Sequence, residues 1–420
     1  MMETPERKVM LLDMNAFFAS IEQQCNPHLR GQPVLVCGSR STRTVVVAAS
    51  YETRPFGAKS GMPLGEALRL CPKAIVVEAN PPKYLDTARG IQDLLLEFSP
   101  KVEIFSIDEA FLELHPQEDP FAVARAIKAR LRERFTLTCS IGIGPNKLVA
   151  KLAAGLSKPD GLVWIHGDEI PEIFASLPVS ELCGIGPRVT KRLQSLGIWT
   201  AGQLGSFPPA QLRAHFGPFW GELLSAMGRG IDPSPVVSCL VPPVIKSVGH
   251  SYTLPRDTSS PAELRAHLLC LSLMVGRRLR ADGYAGRTLR LTLRTSDFTT
   301  FCRHRTVPRW LYHGQQIYQH AWHLFESLPW PGPIRMIGIA VASLAKGARQ
   351  NELFAENEKE QALLRAEDTI LDRFGEFGIK PASLLALSRK RSSEDHPWTF
   401  TSAPADSRSL AGARRFIRTR

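Results

Sequence analysis

Acidic side chains seldom stand inside unbroken apolar runs unless something positive meets them, and this chain places them there twice. In Val9-Met10-Leu11-Leu12-Asp13-Met14-Asn15-Ala16-Phe17-Phe18 an aspartate closes an apolar strand where the chain enters a helix. In Ile104-Phe105-Ser106-Ile107-Asp108-Glu109-Ala110-Phe111-Leu112 two adjacent acids fall within an apolar strand–turn–strand run. Carboxylates in such runs are costly to bury without a counter-charge. Magnesium prefers oxygen ligands and keeps waters and substrate phosphates in its shell, so two or three carboxylates suffice for it. Two such ions about 4 Å apart lower the pKa of an attacking hydroxyl and neutralise a departing pyrophosphate. Singly, Asp13 reads equally as a turn cap and the Asp108-Glu109 pair as a solvated turn. Together they predict a metal site.

The rest of the chain sets the surroundings. Its 420 residues suggest two to four domains. Apolar strands are expected at 9–12, 34–37, 45–49, 75–77, 111–114 and 137–143, and helices at 15–24, 82–98, 119–135 and 146–156. Gly and Pro stops then punctuate a helical stretch from 171 to 230, and proline-rich 232–245 reads as an extended linker. A second α+β unit follows, with helices near 261–282 and 313–327 and strands near 287–295, 301–306 and 335–342. Beyond residue 346 the chain turns polar, with one amphipathic stretch near 359–374.

The net charge of +12 is lopsided: residues 236–346 alone carry 14 Lys and Arg against 5 Asp and Glu. A basic unit of this kind suits a polyanion, and equally a well-solvated surface. No apolar run reaches membrane-spanning length, the start lacks a signal-peptide pattern, and the eight cysteines form no zinc or disulfide spacing. The expectation is a cytoplasmic protein with no membrane association.

Asp13-Met14-Asn15-Ala16-Phe17-Phe18-Ala19-Ser20-Ile21-Glu22, Ser50-Tyr51-Glu52-Thr53-Arg54-Pro55-Phe56-Gly57 and Ser106-Ile107-Asp108-Glu109-Ala110-Phe111 resemble the Y-family translesion DNA polymerases of the bacterial DNA polymerase IV type. So do Gly142-Ile143-Gly144-Pro145-Asn146-Lys147 and Ser157-Lys158-Pro159-Asp160-Gly161, and the resemblance runs in order from about 8 to 346. It implies an α+β multidomain right hand. The ferredoxin-like palm would span 1–25 and 79–170, small fingers 26–78, and a helical helix–hairpin–helix thumb 171–235. A linker at 236–245, an α+β little finger at 246–346 and a flexible tail at 347–420 would complete the chain. It further implies a nucleoid-associated bacterial enzyme acting as a monomer on primed template DNA and deoxynucleoside triphosphates. Asp13, Asp108 and Glu109, with the Met14 carbonyl, would be the ligands of two Mg2+ ions. This chain departs from some relatives in having Ala16 and Phe18 where they carry tyrosine.

The same resemblance assigns the triphosphate to Tyr51, Arg54, Lys158 and the backbone amides of Phe17 and Phe18. Residue types agree: arginine offers a planar fork, lysine a point charge, and a helix N-terminus its free amides. Without the resemblance, Arg54 reads as a surface partner of Glu52 or Glu66. Phe18 is the expected sugar filter, although an ordinary core phenylalanine fits the pattern too. Val47, Ala48, Ala49 and Gly61 are small enough to roof a nascent base pair.

Leu182-Cys183-Gly184-Ile185-Gly186-Pro187-Arg188-Val189-Thr190-Lys191 has the helix–hairpin–helix pattern, in which Gly184, Gly186, Arg188 and Lys191 would grip a phosphate backbone; a plain helical turn is the alternative. Arg290 and Arg294 share one face of a strand, with Arg303 and Arg305 nearby, again suiting duplex backbone. Gln350-Asn351-Glu352-Leu353-Phe354 resembles the peptide by which bacterial polymerases dock on the sliding clamp, through Gln350, Leu353 and Phe354. The rivals are a nucleotide cyclase, which needs no hairpin or basic domain, and an inactive homologue serving as a DNA- and clamp-binding scaffold.

Overall fold

The computed structural model describes residues 7–38, 43–328, 330, 332–348, 355–375 and 378–385. The run that ends near Asp13 forms β1 (Val9–Met14). Chain order continues with α1 (Phe17–Cys25), β2 (Val34–Cys37), β3 (Val46–Ala49), α2 (Leu64–Leu70), β4 (Ile75–Glu78) and α3 (Pro81–Leu96). Next come β5 (Val102–Ile104), β6 (Glu109–Glu113), α4 (Pro120–Phe135), β7 (Cys139–Gly144), α5 (Lys147–Leu156) and β8 (Leu162–Trp164). Five short helices follow: α6 (Ile170–Ser176), α7 (Pro187–Gln194), α8 (Ala201–Ser206), α9 (Pro209–Phe216) and α10 (Pro218–Gly228).

β1 sits at the centre of a sheet ordered β5-β6-β1-β7-β8 and is antiparallel to both neighbours. Helices cover both faces, so β1 is apolar throughout and lacks the polar alternation of a half-exposed strand. Met10, Leu12 and Met14 pack with Tyr84, Ile91 and Leu95 of α3 and with Ile127 and Leu131 of α4. Val9 and Leu11 face the other way, onto Phe111 and onto Ala150 and Ala154 of α5. By the same alternation Asp13 belongs to the α5 face. Helix α5 lies so close to β7 that a Cβ on Gly142 would meet Ala154 N at 2.1 Å, so only glycine fits there.

A separate three-stranded sheet, β3-β2-β4, has its own small core around Leu35, Val46 and Ala67. Ala48 is buried in the core of the five-stranded sheet and Ala49 in this small one, so neither is free to roof a base pair; Val47 and Gly61 are exposed. The helices α6–α10 gather around Phe174, Leu193, Leu204 and Leu224, together with Leu148 and Leu152 of α5.

The expected linker differs from what is found. Val236 is buried with Val9 and Leu11, Val237 donates its amide to Glu103 at 2.9 Å, and Cys239 donates to the Val102 carbonyl at 2.7 Å. Apolar valines and backbone donors therefore fasten its first half to the sheet, and along this stretch the boundary between the two compact units falls at Pro242 and Pro243.

The second unit contains β9 (Ser247–Thr258), α11 (Pro261–Ala281), β10 (Tyr284–Thr295), β11 (Thr300–Leu311), α12 (Gly314–Glu326) and β12 (Ile334–Lys346). Its sheet, β11-β10-β12-β9, buries Leu289, Leu291, Ile339 and Val341 among Leu268, Leu271 and Val275 of α11 and Ile317 and Ala321 of α12. Strand β9 has no counterpart in the sequence reading. Its alternation of Val248, His250 and Leu254 with Gly249, Ser251 and Thr253 contains no apolar run.

The expected flexible tail is also partly structured. Helix α13 (Ala355–Phe374) docks through Asp368, which accepts two hydrogen bonds of 2.7 Å from Arg280, through Asp372 on Arg277 at 2.9 Å, and through buried Leu364. Two arginines of the basic stretch are thus engaged within the unit. Gln350, Leu353 and Phe354 lie outside the described residues. Among the described residues no helix is long and apolar enough to cross a membrane.

Candidate active site

Sheet register brings the three acids to one edge. Asp13 pairs with Glu109 across β1 and β6, and antiparallel partners point to the same side. The Met14 amide donates to the Asp108 carbonyl at 2.9 Å, which fixes Asp108 beside the same strand end. Each carboxylate has its own partner. Asp108 accepts from Ser106 Oγ at 2.5 Å, Asp13 meets the Lys158 ammonium at 2.5 Å, and Glu109 meets that of Lys151. So engaged, they do not close on a common point: among the described residues no three acid, histidine or cysteine side chains are gathered tightly enough to hold one ion.

Burial pushes the Asp13 carboxyl up to about 6 from 3.8, against the opposing pull of Lys158 and helped by Glu109 and Asp108. The folded protein therefore holds this proton more tightly than the unfolded chain does. Asp13 contributes stability below about pH 4 and loses it as pH rises through 6, a penalty of about 3 kcal/mol at pH 8. Asp13→Asn should stabilise the protein in EDTA by about that much at pH 8 and by nothing near pH 4. Denaturant titrations at both pH values would refute the assignment if the gain were independent of pH.

An open cleft of about 600 Å³ extends from Asp13, Lys151 and Lys158 to residues 180–186. Three residues after Asp13, Ala16 takes a left-handed conformation and α1 begins at Phe17 with no side chain capping it. Its first amides are thus without a side-chain acceptor. Tyr51 and Arg54 lie on a 3₁₀ turn, where residues three apart eclipse. The Arg54 guanidinium stacks 3.6 Å over the Tyr51 ring, and among the described residues it has no carboxylate partner, neither Glu52 nor Glu66. The Tyr51 hydroxyl points to Asn15 Oδ1 at 3.4 Å.

Phe18 is half-buried, its ring stacked on Tyr84 with centroids 4.2 Å apart. The Tyr84 hydroxyl donates to buried Glu22 at 2.7 Å; burial and that bond hold it protonated well above the usual tyrosine range. Sequence reasoning missed Tyr84, Ser106 and Lys151. Lys151 had a signal, as a cation within the apolar helix Lys147-Leu148-Val149-Ala150-Lys151-Leu152-Ala153-Ala154. Tyr84 looks like any buried aromatic.

Residues 12–155 match the impB/mucB/samB family, 245–353 match its C-terminal domain, and 180–232 match the thumb domain of DNA polymerase-iota. The DNA polymerase IV of Pelotomaculum thermopropionicum is 41% identical over 88% of this chain and 94% of its own length. That of Moorella thermoacetica is 41% identical over 91% and 97%. The chain belongs to the Y-family DNA polymerases of the DNA polymerase IV type. A solved Y-family DNA polymerase chimera of Dbh and Dpo4 superimposes with a TM-score of 0.73 at 27% identity, covering 81% of this chain and 99% of that one.

The fold is a right-hand polymerase with palm, fingers, thumb and little finger, and the 180–232 match puts α7–α10 in the thumb. In the thumb, Gly184 has φ +100°, a left-handed value that side chains resist, and Gly186 caps α7 at φ −81°. A Cβ on Gly186 would meet nothing within 4 Å, so the fold itself has no need of glycine there. Gly184, Gly186, Arg188 and Lys191 are all exposed. If a phosphate approaches the hairpin, Gly186→Ala should weaken primed-DNA binding about tenfold with unchanged melting. Equal affinities for wild type and variant would refute that role.

The sheet of the second unit separates the four arginines. Arg290 lies between Ala340 and His304, and Arg294 between Met336 and Thr300, on the face away from α11 and α12. Thr288, Thr292, Gly338 and Ser251 complete a low, polar surface around them. Arg303 and Arg305 pair with Leu291 and Leu289 and therefore emerge at the edge of the opposite, helix-covered face. The two expected to share a strand face, Arg290 and Arg294, do so, and Arg303 and Arg305 lie on the other face. Period-two alternation puts odd and even positions of β11 on opposite sides.

Proposed function

We infer that this chain is a DNA-directed DNA polymerase of translesion synthesis, with Asp13, Asp108 and Glu109 at its catalytic centre. The observation that carries this reading is the placing of those acids side by side at adjoining strand ends in a chain 41% identical to a DNA polymerase IV over 88% of its length.

The donor set suits two magnesium ions: three carboxylates and the Met14 carbonyl are hard oxygen ligands. The acids also need positive charge, as the ammonium groups on Asp13 and Glu109 and the raised Asp13 pKa indicate. Bound there, the ions would acidify the primer hydroxyl and neutralise the departing pyrophosphate. Asp13 and Glu109 would exchange Lys158 and Lys151 for them. Lys158, so released, would join Tyr51, Arg54 and the Phe17 and Phe18 amides on the triphosphate of the incoming deoxynucleotide. Phe18 would lie under the sugar. Arg188 and Lys191 beside the thumb hairpin, and Arg290 and Arg294 on the little finger, would hold the phosphate backbone of primed DNA without reading sequence.

Gln350, Leu353 and Phe354 would dock the polymerase, as a monomer, on the sliding clamp. With these partners it would act on the nucleoid in the bacterial cytoplasm.

The test is gel-resolved primer extension on undamaged and adducted templates. Magnesium should support extension past the adduct, and EDTA should stop all synthesis. DNA and clamp binding without any extension would favour the inactive scaffold instead. Removing 350–354 should abolish stimulation by added clamp and leave distributive synthesis intact.

A further inference from the structure

We propose that Lys128 is a positioning residue for nucleotide binding, holding the loop that aims Lys158. The proposal rests on the reading of Lys158 as a triphosphate ligand. Lys128 projects from α4, and its side chain is only 11% exposed. Its ammonium donates to three backbone carbonyls, Cys139 at 3.1 Å, Asp160 at 2.5 Å and Gly161 at 3.0 Å, and stands 2.9 Å from Asp160 Oδ1 as an ion pair. Arg132 takes the other Asp160 oxygen.

Lys128 has no contact with Asp13, Asp108 or Glu109 among its bonds; it reaches the site only through the loop. Asp160 adopts φ +57°, a conformation that must be held by its surroundings. On one side the loop is tied to β7 by the Ile141 amide on the Gly161 carbonyl at 3.0 Å. On the other side runs Lys158, whose ammonium reaches Asp13. A buried cation on three carbonyls is therefore the fixed point from which Lys158 extends. Without it the Asp160 carbonyl loses its donor, and the loop must shift to find another. A shift of about 1 Å at a substrate-positioning group can alter rates up to a hundredfold.

Steady-state kinetics of Lys128→Met, Lys158→Ala and the double variant test this. Lys128→Met should raise KM for the deoxynucleotide about tenfold with kcat changed less than about threefold and DNA affinity unchanged. In the Lys158→Ala background, where KM is already high, the second substitution should change it less than about twofold. Lys128→Arg keeps the charge but cannot aim three donors at one cluster of carbonyls, and it should show the same KM effect if the methionine variant fails to fold. A tenfold effect that persists without Lys158, or an unchanged KM in Lys128→Met, overturns the proposal and leaves Lys158 as a ligand. An unchanged KM in Lys158→Ala overturns both.

Discussion

Asp108→Ala is expected to slow primer extension at least about a thousandfold, while fold and DNA affinity stay in place. The side chain is half-buried and, among the described residues, bonded to Ser106 Oγ alone, so its loss exposes no buried partner. The strand end survives, because Asp108 contributes to it through its backbone carbonyl, which accepts from Met14. In the proposed two-ion site, what would disappear is one of three carboxylates facing the metal ions, and with it part of the charge stabilisation of the transition state. A loss of about 4 kcal/mol there corresponds to the thousandfold. Asp13 would be the less informative position, since its burial couples catalysis to stability. Single-turnover extension, circular dichroism and DNA affinity by salt titration separate the contributions. A rate within tenfold of wild type would place the catalytic metal ions elsewhere.

The acids were legible because their local context is abnormal: a carboxylate at the end of β1 has apolar neighbours over four preceding residues. Their partners were not. Lys158 lies 145 residues from Asp13, and Lys151 42 from Glu109, so only the packing of α5 on β1 and β7 brings them together. Strand alternation alone placed Arg290 and Arg294 on one face. Assigning Arg303 and Arg305 required the register of β11 against β10, which turn residues near Asp297 set and composition does not reveal. Helix α13 repeats the pattern. Its amphipathic pattern near 359–374 was legible in the sequence, but its docking partners were not: Asp368 and Asp372 find Arg280 and Arg277 on α11.

Phe18→Ala is expected to lower discrimination against ribonucleotides about a hundredfold. The ring is a wall as much as a surface. It is stacked at 12° on Tyr84, whose hydroxyl is held by Glu22, and Glu22 is in turn held by Lys83 at 2.8 Å. A ring braced in this way cannot swing aside for a 2′-hydroxyl, and its carbon edge offers that hydroxyl no hydrogen bond. Alanine removes both obstacles, and a hundredfold corresponds to about 3 kcal/mol. Tyr84→Phe should change discrimination less than about threefold, because the stacked ring remains when the hydroxyl is lost. The measurement is kcat/KM for matched ribo- and deoxynucleotides on one template. Unchanged selectivity in Phe18→Ala would return Phe18 to the role of an ordinary core aromatic, and a large effect of Tyr84→Phe would move the wall from the ring to the hydrogen bonds behind it.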